Sequence, residues 1–193
     1  MQSHDEEQAL IARLRRRENE AFTELVRLYQ HRIFGLLLRM VGQPDEAEEL
    51  AQEVFVNVYR AIDSFRGDAS LRTWMYRIAT NQAKNRLKYL SRRRAGQQES
   101  LDDHADESSF MPLGEPVPRP DRAAEGAEME RVVAASLAAL DSEHREVLVL
   151  RDIEGLAYEE IAEVLGLAEG TVKSRLFRAR YALKQRIAAV MEP

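Results

Sequence analysis

Cysteine is absent from this 193-residue chain, which removes disulfides, thiol catalysis and cysteine-ligated zinc or iron–sulfur centres from consideration. Histidine is scarce. His4, His31, His104 and His144 stand at no metal-ligand spacing, so neither a metal nor a cofactor is expected. No apolar run reaches the length of a membrane span, and the first residues lack the basic-then-apolar pattern of a signal sequence. Direct membrane insertion is therefore not expected, and the cytoplasm is the expected compartment. No phosphate loop of the form G-x-x-x-x-G-K-[ST] occurs. Carboxylates are plentiful, but no Asp/Glu/His set gathers with basic residues, so no catalytic residue is assigned and an enzyme is not expected. Strand-like alternation is missing as well, and the fold class read from the chain is all-α.

What is present is charge, unevenly placed. The net charge is −5, unexpected for a nucleic-acid binder until it is divided along the chain. Residues 1–94 carry +4, residues 95–126 carry −6 and residues 127–193 carry −3. From Ala69 to Gln98 there are eight bases and no acid, and from Gly170 to Met191 six bases and no acid. Two basic surfaces are thus separated by an acidic strap. Such a chain is expected to bind free DNA poorly, because its acidic parts oppose the phosphate contacts that dominate affinity.

Helical periodicity organises the chain into two parts. One helix is expected over about Asp5–Arg17 and a second over Ala21–Val41, where Phe22, Leu25, Val26, Tyr29, Ile33, Leu36 and Leu37 recur at helical spacing. Gly42-Gln43-Pro44 interrupts the pattern, and Asp45 is the expected N-cap of a third helix whose first turn is acidic. That helix continues to about Ser64. Ser70 is expected to cap a long basic helix from Leu71 to about Arg94. Between 95 and 126 prolines, acids and serines replace the apolar pattern, the composition of a flexible linker. Helices resume over about Ala127–Leu140, Ser142–Ile153, Tyr158–Leu165 and Glu169–Val190. The expected architecture is two small helical domains, 1–94 and 127–193, on an acidic, proline-rich tether at 95–126.

The last two helices carry the first chemical signal. In Gly155-Leu156-Ala157-Tyr158-Glu159-Glu160-Ile161-Ala162-Glu163-Val164-Leu165-Gly166-Leu167-Ala168-Glu169-Gly170-Thr171-Val172-Lys173-Ser174-Arg175-Leu176-Phe177-Arg178-Ala179-Arg180 a short apolar-faced helix ends at a glycine suited to the left-handed conformation. A basic helix follows. Val172, Leu176, Ala179 and Leu183 form its buried stripe, while Lys173, Ser174, Arg175, Phe177 and Arg178 fall off that stripe near the N-terminus. That is where a helix-turn-helix places groove-reading side chains. An ordinary helical hairpin with a solvated basic face is the rival reading of this stretch alone.

The long basic helix carries the second. Leu71, Trp74, Met75, Ile78, Ala79, Leu87 and Leu90 make one face, and Arg77, Asn81, Lys84, Asn85 and Lys88 the opposite one. Cations hold phosphates and amides bond base edges, so this mixture suits a nucleic-acid strand. The preceding segment Phe65 to Leu71 is a candidate cradle for an unstacked base, with Trp74 assigned to the core.

Asp45-Glu46-Ala47-Glu48-Glu49-Leu50-Ala51-Gln52-Glu53-Val54-Phe55-Val56-Asn57-Val58-Tyr59-Arg60-Ala61-Ile62-Asp63-Ser64-Phe65-Arg66-Gly67, followed by Thr73-Trp74-Met75-Tyr76-Arg77-Ile78-Ala79, resembles region 2 of bacterial sigma factors. The stretch 155–180 resembles region 4 of the same family. Order and spacing resemble the extracytoplasmic-function (ECF) group, close to its envelope-stress branch. The chain departs from that branch at Ser70-Leu71-Arg72, where an aromatic is more usual. The resemblance implies a sigma factor that directs core RNA polymerase to promoters. It implies docking on the β′ clamp helices through Glu49, Leu50, Gln52, Glu53 and Phe55, and a further contact with the β flap. Phe65, Arg66, Gly67, Asp68, Ala69, Ser70, Leu71, Arg77, Asn81, Lys84, Asn85 and Lys88 sit where the family reads opened −10 DNA. Arg151, Glu169, Gly170, Thr171, Lys173, Ser174, Arg175, Phe177 and Arg178 sit where it reads the −35 duplex, and the backbone N–H groups of Glu169-Gly170-Thr171 offer a phosphate site. An anti-sigma partner is also implied, and the acidic strap resembles the linker lying in the polymerase's RNA path. The rival is a stand-alone helix-turn-helix regulator of duplex operators, which leaves the 45–94 block unexplained.

Overall fold

The computed structural model describes residues 4–98 and 122–191, with side chains placed at 4–93 and 129–191. Among the described residues every regular element is helical. The first half comprises α1 (His4–Arg15), α2 (Asn19–Val41), α3 (Pro44–Ala61) and α4 (Leu71–Gln98). The second comprises α5 (Arg122–Ala138), α6 (Ser142–Leu148), α7 (Tyr158–Leu165) and α8 (Glu169–Met191). A 3-10 turn at Ile62–Ser64 extends α3, and a π-helical turn at Val149–Ile153 extends α6. The ends of the tether differ from expectation: α4 continues to Gln98 and α5 already begins at Arg122. The rest of the acidic strap, 99–121, lies outside the described residues.

α2 is the axis of the first half. Leu25, Ile33, Leu36 and Leu37 are buried along it, and α3 and α4 pack on it and on each other. α3 contributes Ala47, Leu50, Val54 and Val58. α4 contributes Leu71, Met75, Ala79 and Ala83. The two alanines, four apart on one face, let the helix axes approach closely. Gly42 ends α2 at φ +80°, a conformation that glycine adopts without strain, and its N–H returns to the Leu38 carbonyl at 2.8 Å. Asp45 is not the N-cap of α3. Pro44 occupies the first turn, where its missing N–H has no intrahelical acceptor to lose, and Gln43 caps the helix without a side-chain bond. Ser70 does cap α4, accepting the Thr73 N–H at 3.1 Å.

In the second half α8 lies against α5, α6 and α7. Gly166, at φ +66°, closes α7 and turns the chain into α8, with the Leu167 N–H bonded to the Ala162 carbonyl at 2.9 Å. Ile161 and Val164 from α7 meet Val172, Leu176 and Ala179 from α8 in the core, which completes a helix-turn-helix.

The halves are packed together. α4 lies along α7, and α2 touches α5, α6 and the π-helical turn. Arg145 holds this junction. Its guanidinium donates to the Leu137 carbonyl at 3.1 Å, to Leu140 at 2.9 Å and to Ala138, which satisfies the end of α5. It also reaches across to the Met40 carbonyl, at the end of α2, at 2.6 Å.

Two substitutions test this account by urea unfolding. Gly166→Ala is expected to destabilise by about 1 kcal/mol through its left-handed backbone alone, since a Cβ there meets open space; an unchanged midpoint contradicts the helix end described. Arg145→Ala removes four hydrogen bonds, leaving Leu137 only the Leu140 N–H, and is expected to cost about 2–4 kcal/mol; a loss below about 1 kcal/mol contradicts its role at the junction.

Candidate nucleic-acid interface

The segment before α4 is fixed at both ends by α1. The Arg15 guanidinium donates to the Phe65 carbonyl at 2.6 Å, and the Leu71 N–H donates to the Glu7 carboxylate at 3.0 Å. Phe65 packs against Trp74 with ring centroids 5.2 Å apart. Phe65 is 4% exposed and Leu71 is fully buried, so both anchor the loop from beneath and neither offers a surface to a base. The exposed tip is Arg66-Gly67-Asp68, with Gly67 at φ +82°, flanked by half-buried Ala69 and Ser70.

Along α4, Arg77, Asn81, Asn85 and Lys88 are exposed, as the helical wheel requires. Among the described residues Arg77, Lys88, Arg92 and Arg93 make no ion pair. By contrast Arg13, Arg17, Arg72, Lys84, Arg86, Arg175 and Arg180 each have a carboxylate partner. Arg77, Lys88 and Arg92 fall within about 60° of one another around the helix, with Arg93 about 100° further round, and leave a field for an external polyanion. Lys84 is set apart from the rest of its sequence set: its ammonium lies 3.1 Å from the buried Glu146 carboxylate of α6. Burial pushes that carboxyl above its usual range, and the charge of Lys84 opposes the rise.

On α3, Glu49, Gln52 and Glu53 are exposed, while Leu50 and Phe55 are buried and support them from within. The acidic edge is bridged to α4 by Arg86. This guanidinium is 2.9 Å from Glu49 and 3.5 Å from Glu53, and also contacts Glu46. Its hydrogen bond holds the Glu49 carboxyl below the usual range. Sequence periodicity missed this bridge. The available signal was that Arg86 lies off the Arg77–Lys88 stripe, towards the side that meets α3.

On α8, Lys173, Ser174, Phe177 and Arg178 are exposed, Phe177 to 75%. Arg175 is not: its side chain is 16% exposed and ion-paired with Glu143 at 3.0 Å. The Thr171 N–H already donates to the Ala168 carbonyl at 2.9 Å, which leaves the Glu169 and Gly170 amides for a phosphate. Arg151 is half-buried and turned inward by the π-helical turn. Its guanidinium donates to the Leu156 carbonyl at 2.6 Å and lies 4.7 Å above the Tyr158 ring. The Lys173 ammonium lies 5.4 Å from the same ring and pairs with Glu169. Tyr158, absent from the sequence-derived set, thus holds two members of it by cation–π attraction.

A second function of α4 was also invisible in the sequence. Its flank bearing Thr73, Tyr76 and Lys84 meets the carboxylates of the second half. Glu160 accepts from the Ala157 N–H at 2.8 Å, capping α7, and from the Thr73 hydroxyl at 3.0 Å, with Arg72 at 3.5 Å. The Tyr76 hydroxyl donates to Glu154 at 2.6 Å. Burial and the adjacent carboxylate both push the Tyr76 hydroxyl's pKa upward, so it stays a donor at neutral pH. Burial alone raises the Glu160 carboxyl, but the Ala157 amide, the Thr73 hydroxyl and Arg72 outweigh it and hold the carboxyl below its usual range. That contact is therefore complete above the ordinary carboxylate range and is lost as pH falls through the depressed value.

Residues 25–105 match the family described as sigma-70 region 2, and residues 130–183 match sigma-70 region 4. The RNA polymerase sigma-H factor of Pseudomonas aeruginosa is 39% identical over 191 residues, covering 99% of this chain and 98% of that protein. The ECF RNA polymerase sigma-E factor of Escherichia coli K12 is 37% identical over 184 residues, 94% of each. Among solved structures, CnrH in complex with the cytosolic domain of CnrY superposes with a TM-score of 0.67 at 26% identity, covering 95% of this chain and 97% of that one. The sigma factor RpoE of Bartonella quintana, solved with the anti-sigma factor NepR, gives 0.65 at 23% identity over 89% of this chain and 98% of that one, a likeness of fold.

The Tyr76–Glu154 bond is checked by hydrogen exchange. Tyr76→Phe is expected to speed exchange of the α7 amides several-fold at pH 7, a bond of this kind contributing about 1 kcal/mol. Unchanged protection of α7 contradicts the contact.

Proposed function

This chain belongs to the sigma-70 family, in its ECF group, and from that premise we propose how its surfaces share the work of a promoter-specificity subunit. As an RNA polymerase sigma factor of the ECF type it directs core polymerase to promoters and starts transcription there. Sigma factors are in general not enzymes; here the polymerase would perform the phosphoryl transfer and the chain would contribute recognition alone, in the cytoplasm, with no cofactor. The proposed division is 1–94 for docking and the −10 element, 95–126 as tether and 127–193 for the −35 element.

The unpaired cations on α4 carry the DNA half of this reading. Arg77 and Lys88 would hold the phosphates of the opened −10 strand, and Asn81 and Asn85 its base edges, with the tip Arg66-Gly67-Asp68 closing over an extruded base. On α8, Lys173, Ser174, Phe177 and Arg178 would enter the −35 major groove, where arginine pairs with guanine and an aromatic edge meets a thymine methyl. Glu49, Gln52 and Glu53 would dock on the basic β′ clamp helices, with the β flap meeting the second half. Arg86 would set the spacing of those carboxylates, and Leu50 and Phe55 would stiffen the helix behind them.

The closed packing of the halves adds a step. One turn of duplex is about 34–36 Å, and two promoter elements set apart along DNA cannot both be met by halves that pack against each other. Lys84 is paired across the junction with Glu146, so separation of the halves would free it for DNA, whereas Arg175 is paired with Glu143 of its own half and would exchange that carboxylate for a phosphate or base on binding. Two weak modules on one tether then bind strongly only where both elements stand at the right spacing. CnrH, of like fold, was solved in complex with the cytosolic domain of CnrY, and an anti-sigma partner of this chain would act by holding the halves closed.

Transcription from genomic fragments with core polymerase, mapped at RNA 5′ ends, tests the reading. New starts sharing two upstream elements at fixed spacing are expected. Tight operator binding by the chain alone, without new starts, overturns it. Within that assay Arg175→Ala is expected to lower promoter output with core affinity intact. The pair Gln52→Ala and Glu53→Ala is expected to weaken core affinity about tenfold, roughly 1.4 kcal/mol; full affinity in the double variant removes the docking assignment.

A further inference from the structure

We propose that Tyr89 is a stacking platform for an unpaired base of the opened DNA strand, an extension of the −10 surface one helical turn beyond Asn85. The proposal rests on the reading of α4 as the −10 helix. Of the other tyrosines of the first half, Tyr29 is buried in the core, Tyr59 packs edge-on against Phe22 beneath Arg17, and Tyr76 is bonded to Glu154. Tyr89 is 59% exposed and, among the described residues, has no ring contact and no hydrogen bond. It contributes nothing visible to the core, and what marks it out is its company rather than its exposure, which Tyr181 on α8 matches at 62%.

Its surroundings answer in part. Tyr89 stands about 40° around the helix from Asn85 and about 60° from Arg92. It is adjacent to Lys88 and four residues before Arg93, all cations without an acidic partner among the described residues. No acid occurs anywhere from Ala69 to Gln98. An exposed ring within an acid-free, cationic and amide-bearing stripe is the combination by which proteins hold single-stranded nucleic acid: cations follow the phosphates and the ring takes a base face. The flank of α4 that meets the second half is the opposite edge, at Thr73 and Lys84, so the ring stays available in the closed form as well. From Asn81 to Tyr89 the helix rises about 12 Å, the length of three to four stacked nucleotides at about 3.4 Å each. The base at Tyr89 is therefore a different one from those read at Asn81 and Asn85. Because every base has a π face, the contact strengthens capture of the open strand without specifying its sequence.

The experiment uses holoenzyme, this chain with core polymerase, on promoter DNA carrying a pre-opened bubble and on the same promoter fully paired. Tyr89→Ala is expected to weaken binding to the bubble at least about fivefold, with affinity for core and for the paired promoter unchanged. Tyr89→Phe, which keeps the ring and drops the hydroxyl, is expected to stay within twofold of the parent. Equal losses in both variants overturn stacking in favour of a hydroxyl–phosphate contact. A parental affinity in Tyr89→Ala overturns the proposal outright. Asn85→Ala separates the two levels: if it weakens bubble binding while Tyr89→Ala does not, only the Tyr89 assignment falls, and if neither does, the −10 reading of α4 falls with it.

Discussion

The structure depends on one helix being used on two edges. α4 carries no acid from Leu71 to Gln98, so it cannot pair its own cations, and each edge must find its negative partner elsewhere. One edge finds it inside the protein, in Glu154, Glu160 and Glu146 of the second half. The other edge, from Arg77 through Asn81 and Asn85 to Arg92, finds none among the described residues and remains available to nucleic acid. Packing of the halves and binding of DNA are thus two outlets for the same imbalance of charge.

This arrangement lets a protein of net charge −5, of which residues 95–126 alone carry −6, still approach DNA. On the surfaces assigned to DNA, the acids Asp68 and Glu169 are each paired with a base, Arg66 and Lys173. Other acids stand on the α3 edge, where Arg86 spaces Glu46, Glu49 and Glu53 for a basic partner, and along the junction, where Glu160 caps α7 and Glu146, Glu154 and Glu160 meet α4. Glu160 shows the economy of this: a single carboxylate ends the unpaired N-terminus of α7 and reaches Thr73 and Arg72 of the other half. Helix-cap formation and inter-half packing are coupled through it, so local order in the helix-turn-helix responds to whether the halves are together.

Much of this was legible in the chain. Apolar periodicity located every described helix to within a few residues, the Gly166 turn and the Ser70 cap were readable from residue type, and the helix-turn-helix followed from them. Those features are local, set by the backbone preferences of a few neighbours. What escaped was pairwise and distant. Phe65, Leu71, Leu50 and Phe55 belong to functional motifs yet are buried, because a loop or an acidic edge needs an apolar footing that sequence pattern does not distinguish from the surface it supports. Arg145, Arg86 and Tyr158 act by bridging elements far apart in sequence. The two-face division of α4 was too coarse, since a helix of this length has room for a third, polar flank. The inward turn of Arg151 needed the π-helical turn, for which no residue in Val149–Ile153 is a signal.

The double use of α4 is tested most directly by a distance. The chain has no cysteine, so cysteines placed at exposed Arg60 and Gln185 give one dye pair spanning the halves. Energy transfer in the free chain is expected to report one short distance. On addition of core polymerase and promoter DNA the distance is expected to lengthen by tens of ångströms, on the order of a turn of duplex. A distance unchanged between the free chain and the promoter complex would contradict the account, because both promoter elements would then be met without the halves separating.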